Sequence, residues 1–152
     1  MAVEVWRNIT GVQSGDKLTV SQIWNYSDFT FDGNAQYGNN TIAGTPPHVL
    51  RTTVRYAHPN GFYFAPMVDW VPTGAWVDYA NTLRAPSHTL LGLQTGVQMA
   101  NGTLIYIDAR NLTDRRYISD FGTVTDARTA STAVFYPGTG RSIYAGVRVA
   151  FQ

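Results

Sequence analysis

Ser142-Ile143-Tyr144-Ala145-Gly146-Val147-Arg148-Val149-Ala150-Phe151, with only Gln152 after it, alternates without a break. Counting back from Phe151, Val149, Val147, Ala145 and Ile143 are apolar, while Ala150, Arg148, Gly146, Tyr144 and Ser142 are small, polar or charged. Successive side chains of a strand point to opposite faces, so this strand has one oily face and one wet face. In a soluble sandwich the oily face turns inward to a shared core. In an outer-membrane barrel it turns outward to lipid.

The same period runs through most of the chain, and no helical stripe competes with it. Strands are expected at about 2–9, 17–29, 48–57, 61–71, 88–99, 103–112 and 141–151. Leu50, Thr52, Val54 and Tyr56 oppose Arg51, Thr53, Arg55 and Ala57; Phe62, Phe64, Val68 and Trp70 oppose Tyr63, Ala65, Met67 and Asp69. Leu91, Leu93, Thr95 and Val97 oppose Gly92, Gln94, Gly96 and Gln98, and Ile105, Ile107 and Ala109 oppose Tyr106, Asp108 and Arg110. The wet face therefore carries charge in mid-strand: Arg51, Arg55, Asp69, Asp108, Arg110 and Arg148 read as a structural polar ladder along an inner wall. Ile143, Ala145, Val147, Val149 and Phe151 then face lipid.

Connector lengths favour the barrel. They alternate short (10–16, 58–60, 100–102) and long (30–47, 72–87, 113–140), as in barrels with tight periplasmic turns and long outer loops. His58-Pro59-Asn60-Gly61 and Ala100-Asn101-Gly102 supply the proline and left-handed Asn-Gly geometry of tight hairpins. Trp24, Tyr26 and Trp70 fall toward the long-loop ends and Tyr56, Phe62, Phe64 and Phe151 toward the short-turn ends, in the manner of two aromatic girdles. Pro66 in mid-strand lacks a ladder donor and calls for a bulge or an edge.

Composition agrees. Only 14% of residues are charged, about half the usual share. Ten Arg stand against one Lys and nine Asp against one Glu, a near-neutral balance that gives no support for nucleic acid as a partner. With no Cys there is no disulfide framework, thiolate metal site or cysteine nucleophile. No window approaches the roughly 18 apolar residues of a spanning helix. The opening Met1-Ala2-Val3-Glu4-Val5-Trp6-Arg7 lacks a signal peptide's basic and apolar run, so either a signal was removed or the chain is a piece of something longer.

Chemistry-bearing patterns are sparse. His48, His58 and His88 scatter among different strand ends, so no metal site is expected, nor any cofactor. No nucleophile elbow, phosphate-cradling loop or zinc-helix motif occurs, so the chain is not read as an enzyme. Tyr37, Asn39, Asn40, Trp76, Tyr79, Arg84, Phe135 and Tyr136 in the long connections are the candidates for binding a sugar-like or chelate ligand.

Asp108-Ala109-Arg110-Asn111-Leu112-Thr113-Asp114-Arg115-Arg116-Tyr117, a long loop, and then Tyr136-Pro137-Gly138-Thr139-Gly140-Arg141 leading into the terminal strand resembles the carboxyl end of TonB-dependent outer-membrane receptors. Gly44-Thr45-Pro46-Pro47-His48, the His58 to Gly61 turn, and Asn81-Thr82-Leu83-Arg84-Ala85-Pro86 are similar to the same family in the same order. The resemblance implies an all-β, antiparallel transmembrane barrel in a Gram-negative outer membrane. Such receptors have about 22 strands around a plug domain and import siderophores or other scarce nutrients with energy relayed by TonB.

Residues 1–152 form one barrel domain or segment with seven or eight meander strands and no plug, so the expected role is barrel wall and ligand-facing loops without independent active transport. Strand parity calls either for an eighth strand, with Ala133-Val134-Phe135-Tyr136 the best candidate, or for strands supplied by another chain. Expected partners are the bilayer or a detergent, and the barrel-assembly machinery through the terminal strand. Two alternatives stay open: a self-sufficient eight-stranded barrel with a structural or binding role, and a soluble sandwich or lipocalin-like binder.

Overall fold

The structure, a computed structural model, describes residues 2–7, 15–129 and 134–149. Nine strands follow one another: β1 (Ala2–Arg7), β2 (Lys17–Tyr26), β3 (His48–Ala57), β4 (Phe62–Val71), β5 (His88–Gln98), β6 (Leu104–Arg110), β7 (Ile118–Phe121), β8 (Phe135–Pro137) and β9 (Ser142–Arg148). Seven of them form one sheet in the order β1-β2-β3-β4-β5-β6-β9, and β7 and β8 form a separate two-stranded ribbon. Every pairing among the nine is antiparallel.

Register sorts the side chains into two faces, because residues directly opposite each other share a face. One row runs Leu18, Tyr56, Phe64, Thr95, Ile107, Ala145, and another Phe62, Val97, Ile105, Val147. The other face carries Arg51 opposite Asp69, Gln94 opposite Asp108, and Gly96 opposite Tyr106. Burial is inverted relative to a water-soluble sheet. Ala65 and Tyr63 on the polar face are 2% and 9% exposed, whereas Phe64 and Trp70 on the apolar face are 42% and 47% exposed. Among the described residues no second sheet covers the apolar face, which gives the sandwich alternative no core to stand on.

β2, β3 and β4 have 10 residues and β5 has 11, the length at which a tilted strand crosses a bilayer. Gln22 and Thr52 are the polar pair on the apolar face, and they satisfy each other: the Thr52 hydroxyl donates to Gln22 Oε1 at 2.5 Å. At the long-loop end of this face Tyr26 stacks on His48 and Trp24 packs tilted against both, with ring centroids 5.2 to 6.5 Å apart.

Short turns and long loops separate to opposite ends. The turn after β3 closes with the Gly61 amide donating to the His58 carbonyl at 3.0 Å. Gly61 has φ 90°, and a Cβ there would lie 1.9 Å from the Gln98 carbonyl oxygen, so both conformation and space require glycine. The described residues of the long connections 27–47, 72–87 and 111–141 all lie at the other end. The turn residues 8–14, and Ala150 and Phe151 of the expected terminal strand, lie outside the described residues.

Several expectations change. The expected eighth wall strand does not join the wall: Phe135–Pro137 pairs with Ile118–Phe121, and Ala133 lies outside the described residues. The reason is that β9 occupies the whole edge of β6, from Leu104 opposite Arg148 to Arg110 opposite Ser142, and three residues are too short to span. The sheet is not closed, for no pairing joins β1 to β9 among the described residues. Pro66 sits in a central strand with no bulge. The β3–β4 register omits Val54 and Arg55, opposite Pro66 and Ala65, and resumes unshifted. Lastly, the strand expected to reach 112 stops at Arg110, because Asn111 turns left-handed at φ 48°.

Candidate functional site

All six ladder residues stand on the polar face, and four of them pair. Arg51 grips the Asp69 carboxylate with two donors, Nε and, at 3.1 Å, Nη2. Arg110 Nη2 lies 2.7 Å from Asp108 Oδ2, two residues along the same strand face. Arg55 lies over the Tyr63 ring at 4.0 Å, and Arg110 over the Tyr144 ring at 5.5 Å. Arg148 lines a smaller hollow with Tyr63, Gln94, Tyr106 and Asp108. Arg55 and Arg148 belong to the short-turn half of the wall, and neither has a carboxylate within ion-pair distance among the described residues.

A cavity of about 550 Å³ opens on this face at the long-loop end. Arg51, Thr53, Asp69, Gln94 and Arg110 of the wall form its floor, and Asn111, Tyr117, Thr139 and Gly140 rise beside it from the last long loop. Its lining mixes amide, hydroxyl, phenol and paired charge. Such a surface binds by converging hydrogen bonds and ring contacts, and it contains no nucleophile–base pair.

Above the wall the three long loops are tied into one body by buried polar residues. Asp78 is fully buried, and its carboxylate accepts from the amides of Thr82 at 2.8 Å, Leu83 at 3.0 Å and Ala127 at 3.1 Å, and from the Thr82 hydroxyl at 2.5 Å. Burial pushes this carboxyl up, but the Thr82 hydroxyl and the three amides outweigh it and hold it below its ordinary value. Asn81, left-handed at φ 55°, clasps Thr41 from both sides: its Oδ1 accepts from the Thr41 amide and its Nδ2 donates to the Thr41 carbonyl, each at 2.8 Å. Asn111 does the same inside the last loop, donating to the carbonyls of Arg115 and Thr139 and accepting from the Arg115 amide. At the surface, Arg128 holds the Asp126 carboxyl down to about 2.

The loop residues named from sequence are distributed over this body. Tyr37 stacks on Phe31 at 5.1 Å and meets Tyr79 at 5.7 Å; the Asn40 side chain donates to the Tyr79 carbonyl at 2.9 Å. Asn39 accepts from the Gly33 amide at 2.8 Å, and Arg84 lies over Trp76 at 4.1 Å. Phe135 packs on Phe121, and Tyr136 is exposed on the same ribbon. Most of these side chains thus already serve loop packing, and none of them lines the large cavity. Sequence reading missed Tyr117, Asn111, Asp78 and Asn81. For Asp78 no local pattern signals the hub, because its partners Thr82, Leu83 and Ala127 lie 4, 5 and 49 residues on, beyond the two-residue reach of an ordinary Asp turn.

His48 joins the aromatic group with Trp24, His58 opens a turn, and His88 faces Tyr117 at 4.8 Å. The described residues hold no group of three His, Cys, Asp or Glu side chains placed to bind a metal ion.

The chain matches the family described as TonB dependent receptor-like, β-barrel, over residues 3–112. It is also similar to a ferrioxamine receptor of Yersinia enterocolitica, 28% identical over an alignment of 145 residues that covers 89% of this chain and 19% of the relative. The chain thus spans about a fifth of the relative's length. An apolar outer face, a polar inner face and this match together assign the protein to the outer membrane of Gram-negative bacteria: the chain belongs to the TonB-dependent receptor β-barrel family.

Proposed function

We propose that this chain is a stretch of barrel wall, with its outer loops, from a receptor that takes up ferric siderophores or a comparably scarce nutrient. The observation that carries the reading is the cavity on the polar face beside the last long loop, which Asn111 braces internally while Asp78 and Asn81 tie the three long loops together. A rigid polar mouth of this kind gives a large chelate many simultaneous weak contacts at small ordering cost. The relative's ferrioxamine-receptor name supports the ligand type. Cavity residues make the primary contacts. In this reading the exposed Tyr136 and Phe135 of the β7–β8 ribbon add ring contact, and Tyr37, Asn39, Asn40, Trp76, Tyr79 and Arg84 act indirectly, by holding the loops.

Among the described residues no strand pairs with the outer edge of β1 or of β9, and each edge exposes a row of backbone groups that lipid cannot satisfy. Both edges therefore pair with further strands of a barrel of about 22, and wall and loops contribute binding while active transport needs the plug and the TonB contact. In this reading β9 is also the segment that the barrel-assembly machinery engages.

The test is a binding titration on the whole receptor that contains this chain, in detergent micelles, read by quenching of tryptophan emission, with ferric trihydroxamate, haem and cobalamin as probes. Saturable binding of one probe, weakened at least about tenfold by Tyr117→Ala, is the expected result. Absence of saturable binding with all three overturns the reading.

A further inference from the structure

The two arginines that reach the large cavity are both silenced by carboxylates of the wall itself. Arg51 is forked onto Asp69, its cross-strand partner on β4, and Arg110 is held by Asp108. The pairing is confined to this end. Arg55 and Arg148, toward the short turns, have no such partner among the described residues. The last loop, which alone rises beside the cavity, carries Arg115, Arg116, Arg128 and Arg141 against Asp114, Asp120 and Asp126, and none of these seven lines the cavity. What the cavity presents instead is uncharged: the amide of Gln94, the hydroxyls of Thr53 and Thr139, and the phenols of Tyr117 and Tyr144.

From this geometry we infer that the cavity selects a metal chelate of zero or low net charge and rejects a polyanionic one, with Asp69 as the specificity-determining residue. The inference rests on the receptor reading above and deepens it. A trianionic chelate entering the cavity would give up hydration, and the guanidiniums that could replace it are already committed, while the carboxylates beside them repel it. A chelate whose ligand charges are cancelled by its metal loses little, and its carbonyl oxygens and apolar linkers match the amide, hydroxyl and ring lining.

The experiment compares two probes on one preparation of the whole receptor in detergent micelles: an uncharged ferric trihydroxamate and a trianionic ferric tricatecholate. It does so for the wild type, for Asp69→Asn, and for the double variant Arg51→Gln with Asp69→Asn. Because each protein is scored by the ratio of its two affinities, a change in folded fraction cancels. The wild type is expected to favour the uncharged chelate by about tenfold or more. Asp69→Asn frees the Arg51 guanidinium and should shift the ratio about tenfold toward the trianion, and the double variant should restore it. A wild type that binds the tricatecholate as tightly or more tightly, or a ratio unmoved by Asp69→Asn, overturns the charge filter and leaves the receptor reading standing. Failure of both probes to bind the wild type overturns the filter, and the receptor reading falls with it where haem and cobalamin fail to bind as well.

Discussion

Val68 offers a direct measure of which face meets lipid. It lies on the apolar face of β4, is 36% exposed, and has Trp70 next to it toward the loops and Pro66, then Phe64, toward the turns. A strand rises about 3.3 Å per residue, and at about 45° of tilt each residue gains about 2.3 Å of height, so ten residues cover about 23 Å of an apolar band about 25 Å tall. The midpoint of Phe62–Val71 falls between Pro66 and Met67, which puts Val68 within about 4 Å of the bilayer centre. Val68→Arg should therefore cost about 2 to 4 kcal/mol of folding free energy. Thr53→Arg, on the polar face opposite Met67 and in mid-strand of β3, should cost less than about 1 kcal/mol, because its guanidinium stays wet. Val147→Arg provides a third point on the apolar face. Val147 pairs with Ile105, one residue from the short-turn end of β6, and at such a depth the cost falls to about 0 to 1 kcal/mol. Equilibrium denaturant titrations in lipid vesicles measure all three. A Val68→Arg cost no larger than that of Thr53→Arg would refute the assignment of faces.

Two further substitutions probe the loops and the wall. Asp78→Ala strips three amides and a hydroxyl of their buried acceptor and should open the loop body by about 3 kcal/mol, seen as faster hydrogen exchange at Leu83 and Ala127 with the strand amides unchanged. The same carboxyl sets a pH window. Its folded value lies below its unfolded one, so its contribution is fully present above the ordinary carboxylate range, near 4, and is lost as pH falls through the lower folded value; loop protection that already declined at about pH 6 would contradict this. In the wall, Gly96→Ala should cost about 1 to 3 kcal/mol more than Gly146→Ala in the same denaturant assay. The new methyl at 96 meets the Ile105 carbonyl oxygen at 2.5 Å, backbone that moves only by opening the β5–β6 ladder, whereas at 146 it meets only the free end of the Tyr106 ring.

How far the sequence could be read depended on whether a contact is local in the chain. Ile143, Val147 and Arg148 announce their faces because side-chain period alone separates them, and tight turns announce themselves through Gly61 and Gly102, whose positive φ other residues resist. Those turns hold more than hairpins. A turn centred on Asn60 places Arg51 opposite Asp69, and one centred on Asn101 places Gln94 opposite Asp108, so the pairing that quiets Arg51 follows from turn position once register is counted outward. The Phe135–Pro137 segment misled for the converse reason. Aromatic residues in alternation suit any extended partner, and only the full occupation of the β6 edge by β9 sends this one to Ile118–Phe121. The bond from the Ala127 amide to Asp78 bridges 49 residues between two loops, and nothing periodic joins them. Loop bodies of this kind are specified by which long connections a sheet gathers at one end. Turn-set register can be counted residue by residue along the chain, whereas the hub built on Asp78 becomes readable only when strand order has brought its loops together.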